Sequence, residues 1–338
     1  MKTSISYSLI AAAMACGFAN GQTTAYTTPV GYISSTVNTQ SGASNLTLVG
    51  PSLVQPTVFA GASTVTPSGG SVVTFLSGVP TTLGSLYVLE ITSGPSEGWW
   101  STVSSSTATT ITVNDAFPAA LPAGTTISVR LHNTIQSFLG ENTPNLIPFD
   151  GSTGDEVQIL NPDQSIISIA YIPASVTGAP TDDWYNLATS ALADDQVIEP
   201  SSAVIIKSSR LTNSTFVSTG TVKTTKTQLD VFPGLTLVAQ PAAAGATFNG
   251  MSFQTSLIPL NAEGSNTNYD ELQVLNPDQS IVQYAALDPA LLGFATVANL
   301  ADSSDAGSTN FAQGTGQIIK RTDNPASTIT IPGAVVAP

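Results

Sequence analysis

Charge is what this sequence has least of. Only 9% of its 338 residues are Asp, Glu, Lys or Arg, against roughly a quarter in an ordinary soluble domain, so hydroxyls and amides must carry much of its hydration. Basic residues are the scarcest: 8 Lys and Arg against 22 Asp and Glu leave a net charge of -14. Such a chain repels polyanions, which excludes nucleic acid as a partner. It holds one histidine, His132, and one cysteine, Cys16. A lone histidine excludes multi-histidine metal sites, and a lone cysteine excludes an internal disulfide. No apolar run reaches the ~20 residues that a membrane-spanning helix needs, so no transmembrane segment is expected. Long stretches with helical period are missing as well.

What is present begins with a leader. Met1-Lys2, the apolar stretch Leu9–Ala15 and the small residues Ala19 and Gly21 have the three-part form of a secretory signal peptide. Cleavage near Gly21 is expected, removing residues 1–21 and giving an extracytoplasmic protein, secreted or held at the cell surface. Cys16 admits an alternative as the lipid-modified first residue of a lipoprotein, although Ala13-Met14-Ala15 before it lacks the usual leucine. Hydrophobic residues make up 41% of the chain and are interleaved with Ser, Thr and Gly throughout, which argues for a folded protein.

The chain compares with itself. Asp155-Glu156-Val157-Gln158-Ile159 followed by LNPDQSI returns as Asp270-Glu271-Leu272-Gln273-Val274 followed by the same heptapeptide, an offset of 115. Leu146–Pro148 and Leu257–Pro259 precede the two blocks, and Ile205–Lys207 and Ile318–Lys320 follow them. Upstream, Leu46–Val49 matches Leu235–Val238 and Phe59–Gly61 matches Phe248–Gly250, both at an offset of 189. The fall in offset implies about 74 extra residues in the first copy. The expected organisation is a first β unit over 22–62 and 137–212, a small inserted β module over 63–136, and a second β unit over 213–338. Gly31-Tyr32-Ile33, Gly220-Thr221-Val222 and Gly333-Ala334-Val335 share a Gly-x-aliphatic pattern. The third reads as the start of a unit that never comes, a leftover strand free to pair with its own unit or to support self-association.

Inside the insertion, Val72–Leu76, Leu86–Thr92, Trp99–Ser104, Thr109–Val113 and Thr125–Leu131 are short apolar or alternating runs between Gly, Pro, Ser and Asn, which predicts five strands and a small barrel. Each main unit reads as strands joined at NPDQ, where proline sets the turn dihedral and Asn and Asp bond back to local backbone. Short helices are expected only within His132–Leu139 and Pro289–Leu300. The class is all-β, with two related β-sandwich-like units, the first interrupted by a five-stranded barrel-like module.

Residues that could carry chemistry are few. Gly94-Pro95-Ser96-Glu97-Gly98 has the spacing of a nucleophile elbow, but strands on both sides make it a hairpin loop. Asp150, Asp155 and Glu156 sit in a Gly-rich stretch whose oxygens make them a calcium candidate, without EF-hand spacing. Asp182-Asp183, Asp194-Asp195 and Asp270-Glu271 are the other acidic pairs. Trp99 and Trp100 are neighbours on a predicted strand and must face opposite ways, so one of them is a candidate platform for stacking on a sugar ring. Trp184-Tyr185 has no aromatic counterpart in the second copy.

The order VGYISSTVN, LEITSGPSEGWWSTV and the two DE-x-Q-hydrophobic-LNPDQS blocks resembles a family of uncharacterised exported proteins of Verrucomicrobia-type bacteria. The resemblance implies a bacterial, extracytoplasmic setting and brings no catalytic residue with it. The expected function is non-enzymatic: a secreted or cell-surface protein with a structural, adhesive or assembly role. The alternatives are carbohydrate binding through the inserted module and a carboxylate-dependent polysaccharide hydrolase.

Overall fold

The computed structural model describes residues 30–333 except 39–44, 65, 67, 141–144, 178–181, 209, 240–246, 262–267, 293–295, 311–313 and 323–324. The expected leader, Cys16 and residues 334–338 lie outside the described residues.

Strands dominate because β-branched residues alternate with hydroxyls, leaving one face of each strand to bury. The chain opens with β1 (Val30–Val37) and β2 (Asn45–Val49). The inserted sheet follows with β3 (Thr57–Ala62), β4 (Val72–Thr74), β5 (Tyr87–Ile91), β6 (Trp100–Ser106), β7 (Thr110–Val113) and β8 (Thr126–Leu131). The first unit resumes with β9 (Asn133–Thr134), α1 (Ile135–Leu139), β10 (Glu156–Leu160), β11 (Ile166–Ile172), α2 (Ala174–Thr177), β12 (Asp183–Asn186), β13 (Val197–Ile198), β14 (Val204–Ser208) and β15 (Ser214–Thr221). The second unit comprises β16 (Thr227–Val231), β17 (Gly234–Ala239), α3 (Phe253–Ser256), β18 (Asp270–Leu275), β19 (Ile281–Leu287), α4 (Pro289–Leu292), β20 (Thr296–Asn299), β21 (Gly316–Arg321) and β22 (Ser327–Ile331).

The two units share one plan. Five antiparallel strands run in the order β12-β11-β10-β14-β2 in the first and β20-β19-β18-β21-β17 in the second. In each, a ribbon made of the unit's first and last strands lies on the sheet: β1 pairs with β15, and β16 with β22. Val37, Phe138, Val157, Trp184, Ile206 and Phe216 fill the first core. Leu229, Phe248, Phe253, Leu272, Ile319 and Ile329 fill the second. The helix α1 starts where Thr134 and Ser137 cap each other's backbone N–H, and it buries Ile135, Phe138 and Leu139.

Two sequence expectations change. All five strands expected in the insertion form, but Thr57–Ala62 joins them as β3, giving a six-stranded sheet in the order β3-β8-β5-β6-β7-β4. It is an open sheet and not a barrel. Closure would require β3 to ladder onto β4; among the described residues their ends share the bond from Thr64 N–H to Thr74 O at 2.8 Å and no ladder, while Ser63 N–H bonds Thr125 O, Thr66 bridges Leu121 and Gly69 N–H bonds Phe117 O. Gly220 does not open a unit either. It lies inside β15, paired with Gly31 on β1, so Ser214–Thr221, expected in the second unit over 213–338, belongs with the first. Gly333 follows β22 in the corresponding place and packs against the backbone of Thr224 and Thr225.

The units meet sheet to sheet. Leu48, Leu160, Ala203 and Ile205 from one side pack with Leu237, Ala239, Leu275 and Ile318 from the other. The two NPDQ hairpins then reach across this junction. In each, the glutamine has a left-handed backbone, φ 68° at Gln164 and 66° at Gln279, a conformation for which glycine is the cheaper residue. The side chain explains the choice. Gln164 accepts from Leu235 N–H at 2.8 Å and donates to Leu235 O at 3.1 Å. Gln279 does the same to Leu46, at 2.8 and 3.1 Å. Leu46 and Leu235 lie on β2 and β17, the edge strands of their sheets, so each amide covers backbone groups that an edge would leave open.

Candidate functional site

The acidic residues singled out above hold the scaffold. Asp155 is buried, and its carboxylate accepts from Ser208 Oγ at 2.7 Å, Arg210 Nε at 3.0 Å and Ile147 N–H at 2.7 Å. Glu156 pairs with Lys207 at 3.1 Å. Asp150 closes its own turn by accepting from Ser152 and Thr153, and these bonds hold its carboxyl well below the usual range. Each of the three is engaged with different partners. Among the described residues no three His, Asp or Glu side chains are grouped so as to hold a metal ion.

The GPSEG loop joins β5 to β6 as a hairpin and docks on the second unit: Gln228 N–H bonds Gly98 O at 2.9 Å and Lys226 lies 3.7 Å from Glu97. Trp184 is fully buried in the first core, its indole N–H on Gly140 O at 3.0 Å, so it marks no site. His132 is buried, with Nε2 3.1 Å from Thr102 Oγ1; burial first, and then the Arg130 charge, push its pKa down to about 4. Beside it Glu90 sits buried between Arg130 and Lys223, tying the inserted sheet to the segment that joins the units. Burial and the Arg130 charge lower Lys223 to about 6.

The two tryptophans do face opposite ways. Trp99 packs inward on Phe117, with ring centroids 4.9 Å apart. Trp100 points to the second unit and donates its indole N–H to Gln228 O at 2.8 Å. Both are half-buried, and both line one cleft of about 680 Å³, within the range of small-ligand sites. The inserted sheet and both main units contribute to it. The inserted sheet supplies Trp99, Trp100, Asn114 and Asp115. The first unit supplies Asn161, Gln196 and Glu199, and the second Gln228, Asp230 and Phe232.

Asp115 is positioned by Ser101, whose hydroxyl donates to it at 2.7 Å. Asp230 is positioned by Thr328 in the same way, also at 2.7 Å. Glu199 lies between them in effect: the surrounding protein raises its pKa first, and the charges of Asp230 and Asp115 raise it further. No Lys, Arg or His is among the residues lining the cleft. Trp99 and Trp100 are candidates on sequence alone, whereas Asp115, Glu199 and Asp230 are not. These are single acids spread over more than a hundred residues, Asp115 after β7, Glu199 after β13 and Asp230 on β16, and no local pattern joins them.

No family model and no curated protein matches the chain. No helix among the described residues is long and apolar enough to cross a membrane.

Proposed function

We propose that this is an exported, non-enzymatic protein of the cell surface or medium that binds a neutral glycan in the cleft between its inserted sheet and its two main units. One observation carries the proposal: Trp99 and Trp100 share a cleft of about 680 Å³ with Asn, Gln, Asp and Glu side chains and with no basic group. Sugar rings stack their C–H faces on indole, while their hydroxyls pair with planar amides and carboxylates. The carboxylates Asp115, Glu199 and Asp230 make uronate or sulfated sugars unfavourable ligands. The leader-like segment Met1–Gly21 and the resemblance to exported bacterial proteins support the extracytoplasmic half of this reading.

Titration with neutral oligosaccharides, followed by tryptophan fluorescence, tests it. A saturable change with neutral sugars, absent with oligouronates and lost in Glu199→Lys, is the expected result. No response to any member of a broad neutral panel would remove the proposal.

A further inference from the structure

Where the two units touch, corresponding residues face each other across a local two-fold arrangement. Val49 bridges Thr315 in one direction and Val238 bridges Ser202 in the other. Gly50 N–H bonds Gly314 O at 3.2 Å, and Ala239 N–H bonds Ser201 O at 2.7 Å. Gly50 and Ala239 hold the same place in β2 and β17, one residue past Val49 and at its last residue, counted from the matched LTLV segments. Ala203 and Gly316 likewise hold the same place at the start of β14 and β21, counted from Ile205 and Ile318.

At both places the two units differ, and in opposite senses. A Cβ added to Gly316 would lie 2.6 Å from the Ala203 methyl, and one added to Gly50 would lie closer still to the Ala239 methyl. Neither glycine has the left-handed backbone that would itself demand glycine. Room for the opposite methyl is therefore what each glycine supplies.

The geometry points to a complementary pairing code: each unit carries one alanine and one glycine at the junction, arranged so that it accepts the opposite unit and rejects a copy of itself. A first unit facing another first unit would set Ala203 against Ala203 and leave Gly50 facing Gly50. Two second units would set Ala239 against Ala239 and leave Gly316 facing Gly316. Either like pairing combines one overlap with one void, and the unlike pairing has neither. The face thus fits the unlike unit and is closed to a like one. This inference is independent of the proposed glycan cleft.

Two double variants of the full chain that share one substitution test it. Gly50→Ala with Ala203→Gly gives the first unit the second unit's residues, so that like faces like without a change in composition. Gly50→Ala with Ala239→Gly moves the methyl across the junction and keeps it unlike. The expected result is a loss in Tm on the order of 5 °C for the like-facing variant. The unlike variant should recover more than half of what Gly50→Ala alone loses, the remainder reflecting the Ala203 Cα 3.2 Å from the new methyl. Equal Tm for the two double variants, or recovery of less than half, would overturn the code.

Discussion

The two five-stranded sheets share strand order and turn, and they differ in how each holds its centre. In the second unit Asp270 on β18 faces Arg321 on β21, both fully buried. The guanidinium bonds both carboxylate oxygens, at 2.8 and 2.5 Å, and also Val231 O, Pro325 O and Ser327 Oγ. In the first unit the place of Arg321 is taken by Ser208, and Arg210 reaches Asp155 from two residues further on while staying partly exposed. The same buried aspartate is thus satisfied in one unit by a dry ion pair and in the other by a hydroxyl plus a half-wet cation. The aromatic content is distributed the other way: Trp184 on β12 stands where the second unit has Val297 on β20. On top of similar apolar cores, the second unit adds a buried ion pair and the first a large buried indole.

Breaking the ties should rank accordingly. Arg321→Ala takes the cation from the buried Asp270 and leaves it the bond from Ile258 N–H, and should cost about 3–5 kcal/mol in urea unfolding. Arg210→Ala leaves Asp155 with Ser208 and Ile147, and should cost only about 1.5–3 kcal/mol. Equal losses would erase the contrast between the units. Trp184→Val, which copies the second unit, opens a cavity and frees Gly140 O, for a loss of about 3 kcal/mol. Unfolding curves unaffected by that exchange would show that the indole does not hold the first core.

The fold was more legible in the sequence than the site was. The strands of both main sheets announce themselves through alternation, and LNPDQSI marks the same hairpin twice. Arrangement beyond neighbouring strands did not show. Phe59–Gly61 matches Phe248–Gly250 in letters, yet Phe59 lies on β3 and packs on Phe75, whereas Phe248 lies in the second core against Phe253. Three residues are too few to tell descent from coincidence. The heptapeptide's turn was readable from proline and aspartate, but its glutamine was not, because the partner backbone lies 71 residues away for Gln164 and 233 for Gln279. The cleft's acids were hidden for the same reason: they come together only once the inserted sheet docks on both units.

The glutamine clasps offer a finer comparison. Their geometry is the same in both directions, so Gln164→Ala and Gln279→Ala should each cost about 1–2 kcal/mol, two exposed hydrogen bonds with the left-handed strain retained. Unequal losses in thermal unfolding would mean that the two edges are not covered alike.

The smallest expected effect separates the units by pH. Asp194 stands beside Asp183 in the first unit; burial, then the hydrogen bond between the two carboxyls, raise it to about 6, and the charges of Asp183 and Asp195 add to this against the opposing bond from Trp184 N–H. In the second unit Thr296 replaces Asp183 and donates to Asp305 at 2.6 Å, which lowers that carboxyl instead. Between pH 4 and 6 the folded first unit holds a proton that the unfolded chain has released, so this group's contribution is present below about pH 4 and is lost as pH rises through 6. Asp305 contributes in the opposite sense, present above the ordinary aspartate range and lost as pH falls below it. Asp183→Thr gives the first unit the second unit's partner, and the decline in Tm from pH 5 to pH 7 should shrink by on the order of 1–2 °C. A slope identical to that of the parent protein would show that the carboxyl pair does not govern it.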